Sequence, residues 1–180
     1  MHRSFIAAGL CLLAAACAKP QKPETGFEAD YENDTKTWRE IEAQMPAYPR
    51  GDNLIPIPTG TATSHRFFID PQSVTLAEDE VTRYTVVTKT SGGAINVSFE
   101  GMRCETRERK VYAIGHSDGT WVRSRNAQWQ RIVLRDLTPY SHTLYHQFFC
   151  NERTQPNPPR VALEALRRGR GLNPGAGTDD

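Results

Sequence analysis

The sequence predicts an α+β domain, in which an antiparallel β-sheet of about five strands carries an N-terminal and a C-terminal helix packed on it, with one disulfide. Strand-like segments follow one another between two helical patterns, and this grouping favours α+β over alternating βαβ units. Residues 94–104 alternate apolar and polar side chains, as in a strand with one buried face. Cys104 and Cys150 are the pair that remains once the N-terminal segment is set aside.

Residues 1–16 predict a signal peptide, because an uncharged apolar run at residues 5–13 leads into three alanines. The run is too short to span a hydrocarbon core of about 30 Å. A cut before Cys17 would make that cysteine the N-terminus, so we expect it to carry a lipid; a soluble periplasmic protein released at the same alanines is the alternative. Residues 17–30 would then be the lipidated N-terminus and a flexible tether. Ala18 is not the acidic residue typical of inner-membrane retention, which favours the periplasmic side of the outer membrane.

Charge and length limit the partners and the number of domains that we expect for the rest of the chain. Removing Arg3 with the signal peptide leaves 21 of the 22 Lys+Arg residues against 21 Asp+Glu, so the mature chain is formally neutral. Neutrality gives no reason to expect nucleic acid or an anionic membrane surface as a partner. One globular domain is predicted at residues 31–154, followed by a Pro/Arg/Gly-rich tail at residues 155–180. The tail is expected to be solvated and to hold at most one short helix, from Pro158 to Arg168.

The first predicted element of the domain is a helix. Asn33 or Asp34 would cap it, and Pro46 would end it. Its apolar face would carry Trp38, Ile41 and Met45.

The predicted strands follow it. They cover residues 65–70, 81–89, 94–104, 110–117 and 120–125. Pro71 is expected to end the first strand, and Asp118-Gly119 predicts a hairpin with a type I′ turn between the last two. In the third strand, one set of side chains should face the core (Ile95, Val97, Phe99) and the other should be polar (Asn96, Ser98, Glu100).

The C-terminal helix of the domain begins with Thr138 as a cap and Pro139 at its first position. Its apolar stripe would be Leu137, Ser141, Leu144 and Phe148. In an oxidising compartment, Cys104 and Cys150 would form a disulfide that places this helix across the apolar face of the sheet. A redox-active thiol is the alternative, although the chain contains no Cys-x-x-Cys.

Several segments together resemble one family. The runs "FFIDPQSV", "VTRYTVV", "GGAINVSFEGMRCETRERKVYAIG", "DGTW" and "FFC" are similar to the CNP1-like (CNP-one-like) family of small proteobacterial envelope proteins, over about residues 38–150. The resemblance implies an exported, Gram-negative location, and it supports the pairing of Cys104 with Cys150. It implies no catalytic residue.

His142 and His146 lie one helical turn apart on the predicted helix, a spacing that can bind zinc. A zinc site would need a third ligand, for which His65 or His116 is available, and Thr143 stands where a metalloprotease helix has its glutamate. The alternative, two surface histidines on a polar helix face, is the interpretation we adopt. No metal or other cofactor is predicted.

Three carboxylates could be taken for acid–base groups, but each has a structural interpretation. Asp70 is expected to set a turn before Pro71, and Asp118 to serve the hairpin. Glu100 is expected to form a cross-strand ion pair with Arg103 or Arg83. No nucleophile, phosphate-binding or dinucleotide motif is present, so no catalytic residue is predicted.

Aromatic and basic residues near the hairpin form the candidate partner surface, which consists of Trp121, Arg123, Arg125 and Trp129. The alternative is that Trp121 belongs to the core. The sequence therefore predicts a non-catalytic cell-envelope lipoprotein that is anchored by its lipid and binds a protein partner or an envelope glycan. A hydrolase with a site around Glu100, Arg103 and a histidine is the alternative.

Overall fold

A seven-stranded antiparallel sheet is the framework of the fold. The computed structural model describes residues 38–59, 63–133 and 138–173, so the predicted signal peptide, Cys17 and the tether lie outside the described residues. The strands are β1 (Ile55–Pro56), β2 (Arg66–Leu76), β3 (Val81–Lys89), β4 (Ile95–Arg103), β5 (Glu108–Gly115), β6 (Trp121–Arg123) and β7 (Gln130–Arg131). No helix in these ranges is long and apolar enough to cross a membrane.

The strands lie side by side in chain order from β1 to β6. Strand β5 has two neighbours on its outer edge, because β6 pairs with its end at residues 113–115 and β7 with its start at residues 108–109. The five predicted strands are confirmed as β2 to β6, whereas the two-residue strands β1 and β7 were not predicted.

The prediction that Pro71 ends the first strand is wrong. Strand β2 continues through it to Leu76, and Pro71 lies in an irregularity between Asp70 and Thr75 where the ladder to β3 is interrupted. A proline lacks the backbone N–H, and at a bulge no ladder bond is lost.

The predicted hairpin between β5 and β6 is confirmed, but its turn type is not. Gly119 has φ +85°, whereas Asp118 is not among the residues with positive φ, which a type I′ turn requires at both positions. The loop closes instead through two backbone bonds, from His116 N to Thr120 O at 2.8 Å and from Gly119 N to His116 O at 3.0 Å.

Alternation along the strands gives the sheet two faces, both of which are covered. We call one the helix face, represented by Tyr84, Glu100 and Met102, and the other the strap face, represented by Arg83 and Phe99. The prediction of one buried and one polar face holds for neither face along all of β4, since Glu100 on the predicted polar face is 1% exposed, whereas Asn96 is exposed and Ile95, predicted to face the core, is 62% exposed.

The helix face carries the larger core. Helix α1 (Pro139–Thr143) runs directly into a π-helix (Leu144–Phe149), and α2 (Pro159–Arg168) packs beside them. Thr138 and Pro139 are the N-cap and the first residue, as predicted, whereas Leu137 lies outside the described residues. The core cluster joins sheet and helices through residues such as Phe67, Ile69, Tyr84, Val86, Met102, Leu144, Phe148 and Phe149.

The disulfide between Cys104 and Cys150 is present, with the two Cα atoms 5.5 Å apart. The face on which the helix was expected is wrong. Cys104 follows Glu100 and Met102 in the alternation of β4, so the disulfide fixes the end of the π-helix on the helix face and not over Val97 and Phe99.

Helix α2 is confirmed, and Gly169 ends it with φ +61°. The expectation of a solvated tail is wrong for this helix, because four of its side chains lie in the main core: Ala162, Leu163, Ala165 and Leu166. An amphipathic helix gains its stability from burying such a face.

The predicted N-terminal helix is wrong over the described residues. Residues 38–50 contain no helix, and residues 33–37 lie outside the description. Residues 38–48, which we call the strap, run irregularly across the strap face, where Ala43 and Met45 pack against Phe99. Tertiary partners occupy the strap's polar groups, as described below, and tertiary contacts routinely override a weak helical pattern.

Candidate functional site

The buried ion pair between Asp79 and Arg83 fixes the start of the strap. The two guanidinium nitrogens of Arg83 bond the two carboxylate oxygens at 3.0 and 2.7 Å. The same pair holds the backbone of Ile41, whose N–H donates to Asp79 at 2.8 Å and whose C=O accepts from Arg83 at 2.7 Å. Burial opposes ionisation of Asp79, but its bonds to Arg83 and to backbone N–H groups outweigh this and lower its pKa.

Hydrogen bonds of tryptophan side chains fix the strap near both of its ends. Trp38 donates to the carbonyl of Asp79 at 2.9 Å, and its ring lies 3.9 Å from the guanidinium of Arg103. Further along, the indole of Trp121 donates to the carbonyl of Pro46 at 3.0 Å, and the hydroxyl of Tyr48 donates to the carbonyl of His116 at 2.8 Å.

Glu40, directly before Ile41, links the same part of the strap to the sheet. One of its oxygens accepts from Lys110 at 2.8 Å and from the indole of Trp129 at 3.2 Å. Burial opposes its ionisation, but the hydrogen bonds from Lys110 and Trp129 and the charge of Lys110 outweigh burial and lower the pKa of Glu40. Burial and the nearby charge of Glu40 raise the pKa of Tyr112.

Gly101 makes room for this arrangement. A Cβ at that position would lie 2.7 Å from both a ring carbon and the hydroxyl of Tyr112, so only glycine leaves room for this tyrosine beside β4.

An open cleft of about 300 Å³, which we call the strap cleft, lies between the strap and the β5–β6 hairpin. Its walls are the strap at residues 40–43, Lys110 and Tyr112 of β5, and residues Arg123, Ser124 and Ala127. Arg123 at its rim lies 3.6 Å from Glu42, and both side chains are mostly exposed, at 66% and 85%. The cleft therefore offers an aromatic wall and charged groups of both signs.

The predicted partner surface falls into two parts. Trp121 and Trp129 are half-buried, and their indole groups donate hydrogen bonds to the strap. The ring of Trp121 also lies 6.2 Å from that of Phe99, which supports the interpretation that Trp121 packs in a core. Arg123 and Arg125 remain exposed beside them. The functional residues that sequence reasoning missed here are Glu40 and Tyr112, which carry no recognisable spacing.

Glu100 is the centre of a second polar cluster, on the helix face. One carboxylate oxygen accepts from Ser98 at 2.6 Å, from Tyr140 at 2.7 Å and from Arg109 at 3.1 Å. The other accepts from Tyr84 at 3.3 Å. Arg109 also donates to the hydroxyl of Tyr140 at 3.0 Å, so the cluster ties three strands to helix α1.

The expected ion pair of Glu100 with Arg103 or Arg83 is wrong. Both arginines lie on the strap face, where Arg83 pairs with Asp79 and Arg103 with Glu105. Glu100 pairs with Arg109, and both side chains are buried. Burial and the charge of Glu100 raise the pKa values of Tyr84 and Tyr140, and the same charge outweighs burial in raising that of Arg109.

The role of the Glu100 cluster is structural, because its hydrogen bonds join the strands to helix α1. A general base must reach a substrate proton, but Glu100 lies under Tyr140, and both of its oxygens already accept hydrogen bonds. Asp118 has its expected role in the hairpin, since it accepts from Thr120 N at 3.0 Å. The turn expected at Asp70 is wrong, because Asp70 accepts from Gln72 N at 3.0 Å inside the irregular part of strand β2.

His142 and His146 lie together, with ring centroids 4.2 Å apart. Burial and the charge of Arg107 lower the pKa of His142. Neither His65 nor His116 completes a site with them, because the described part of the chain holds no group of three or more His, Cys, Asp or Glu residues that could bind a metal ion.

Comparison with known proteins gives one result. The model of the CNP1-like family matches residues 33–167, which include the strap, the whole sheet and most of α2. No curated protein and no solved structure is similar enough to the chain to match it.

Proposed function

The chain belongs to the CNP1-like family, and from the geometry of the strap cleft we propose that it is a non-catalytic cell-envelope lipoprotein that binds a protein partner or an envelope glycan. The proposed lipid is attached at Cys17. Between Cys17 and the strap at Trp38 lie 20 residues (18–37), which can reach at most about 70 Å. A tether of that length lets the domain meet partners away from the membrane.

The strap cleft is the observation that carries the binding proposal. Its wall includes the ring of Tyr112, and Lys110 and Ser124 add hydrogen-bonding groups. Arg123 and Glu42 stand exposed at its edge, where a ligand can exchange water contacts for contacts with them. Protein segments and sugar chains both present apolar faces flanked by polar groups, which such a wall accommodates.

The positions of the residues proposed for a hydrolase site do not support the hydrolase alternative. Its residues were Glu100, Arg103 and a histidine, but Glu100 and Arg103 lie on opposite faces of β4. The hydrogen-bond donors to Glu100 are tyrosines, a serine and an arginine. A hydrolase would therefore need a different set of residues.

The binding proposal is tested by crosslinking in intact cells, followed by purification and mass spectrometry. The cleft variant is Arg123→Glu with Arg125→Glu, and the matched control is Arg66→Glu with Arg153→Glu, which makes the same charge change at exposed positions outside the strap and the cleft. We expect a partner that the wild type and the control retain and the cleft variant loses. A partner that both variants retain equally, or an absence of any bound protein or glycan, would overturn the proposal.

The anchoring proposal has its own test. Cys17→Ser should move the protein from the membrane to the soluble fraction after a high-salt wash, which removes electrostatic attachment and leaves lipid anchoring intact. If the variant stays with the washed membranes, lipid at Cys17 is not what holds it.

A further inference from the structure

The outer face of helix α2 is a fixed array of arginines. Arg160, Glu164, Arg167 and Arg168 occupy positions i, i+4, i+7 and i+8, which form one side of a helix. All four are exposed, as is Arg170 after the end of the helix. The opposite side is anchored in the core, so these side chains project from a rigid element.

The charge on this face is not balanced locally. Four arginines face one carboxylate, Glu164, which pairs with Arg168 at 2.5 Å and approaches Arg160 at 3.8 Å. Arg167 shares an open hollow with Asp52, but the two make no ion pair in the described part of the chain. Since the mature chain is formally neutral, a local excess of three positive charges is a property of this face and not of the protein as a whole.

We propose that the outer face of α2 docks on an anionic phospholipid surface, with Arg160, Arg167 and Arg170 contacting headgroup phosphates. The guanidinium group donates in a planar fork that matches phosphate oxygens. The exposed positions within helix α2 itself are all charged, so this face suits the headgroup layer and not the hydrocarbon. The envelope setting rests on the proposed function, but the binding itself does not depend on the lipid at Cys17.

The test uses the full mature chain with Cys17→Ser, so that no lipid contributes and the acidic residues 179 and 180, which lie outside the described residues, are present. Cosedimentation is measured with vesicles of phosphatidylethanolamine and phosphatidylglycerol and with vesicles of neutral phosphatidylcholine. Binding is expected only to the anionic vesicles, and it should weaken steeply with added salt. If the protein binds neither kind of vesicle, the proposal is overturned. The proposed anchoring at Cys17 is not affected by that result, because it is tested separately in cells.

A charge-matched pair of variants locates the surface. The test variant combines Arg160→Gln, Arg167→Gln and Arg170→Gln, and keeps the pair of Arg168 with Glu164. The control combines Arg39→Gln, Arg66→Gln and Arg131→Gln, which are also exposed. Each arginine near an anionic surface contributes about fivefold to partitioning, so removing the three that contact headgroups corresponds to a loss of about 100-fold in the test variant.

A third variant should change vesicle binding in the opposite direction. Glu164→Gln removes the one carboxylate of the face and should strengthen binding by about fivefold. Equal losses in the test and control variants would show attraction without a defined surface and would contradict the proposal. Preferential binding of a soluble anionic polysaccharide, lost in the test variant, would assign the face to a glycan and would equally overturn it.

Discussion

Tyr140→Phe removes a single oxygen from the centre of the Glu100 cluster. The hydroxyl donates to Glu100 at 2.7 Å and accepts from Arg109 at 3.0 Å, and the residue is 4% exposed. The ring stays packed against Phe67, at a centroid distance of 5.0 Å, so the substitution tests the hydrogen bonds alone.

The expected cost follows from the charge of the acceptor. A hydrogen bond to a charged group contributes about 1.5–3 kcal/mol, and here Arg109 also loses an acceptor in a buried site. We therefore expect a loss of about 2–3 kcal/mol in the free energy of unfolding. For a domain of this size, that corresponds to a fall in Tm of about 6–12 °C.

The assay is urea unfolding of the chain from residue 17 onward, with Cys17→Ser. Tyr145→Phe is the matched control, because its hydroxyl is also buried but donates to a neutral carbonyl, that of Cys104, at 3.1 Å. We expect the control to lose only about 1 kcal/mol. If Tyr140→Phe costs no more than the control, the charged tie around Glu100 is not what we infer.

Alkaline pH gives a second readout of the same cluster. The pKa values of Tyr84 and Tyr140 are raised by burial and by the charge of Glu100. Above about pH 10 the unfolded chain loses these protons while the folded chain keeps them, so stability falls as pH rises, by about 1.4 kcal/mol per pH unit for each tyrosine. Tyr140→Phe should make that decline shallower by one tyrosine's share, and an unchanged slope would contradict the assignment.

Three other predictions concern the disulfide, the last helix and the histidine pair. Without reductant, Cys104 and Cys150 should resist alkylation in the unfolded chain, and opening their 46-residue loop should cost about 4 kcal/mol; two reactive thiols would exclude the disulfide. Deleting residues 158–180 should abolish cooperative unfolding, because four core side chains go with it, whereas deleting residues 174–180 removes no described contact and serves as the control. Because the pKa of His142 is lowered in the folded state, stability should fall as pH drops below about 6.5, and His142→Gln should flatten that dependence if the assignment is right.

Local sequence patterns predict most of the sheet. Strands β3 and β4 follow directly from β-branched residues and alternation, and helix α2 from its apolar stripe with Gly169 at the end. The strap could not be predicted in this way. The spacing of its apolar residues is helical, but its backbone conformation is fixed by Asp79 and Arg83, about 40 positions away.

The candidate site, like the fold, could be predicted from the sequence only in part. Alternation alone separates Glu100 from Arg103, so the sequence contained the signal that excludes their pairing. The pairing with Arg109 needs more, because the ladder between β4 and β5 is shifted at residues 99–100, and only the register shows that Arg109 faces the same side. The strap cleft likewise depends on where the strap lies, which no local pattern specifies.

Site-specific photo-crosslinking in living cells tests the central claim most directly. A photoreactive amino acid replaces Arg125, exposed beside the strap cleft, or Arg66, exposed at the start of β2 as a control. The binding account predicts a discrete adduct, protein or glycan, at position 125 and none at position 66. Adducts at both positions alike, or at position 66 alone, would contradict the proposal that the strap cleft is where this protein meets its partner.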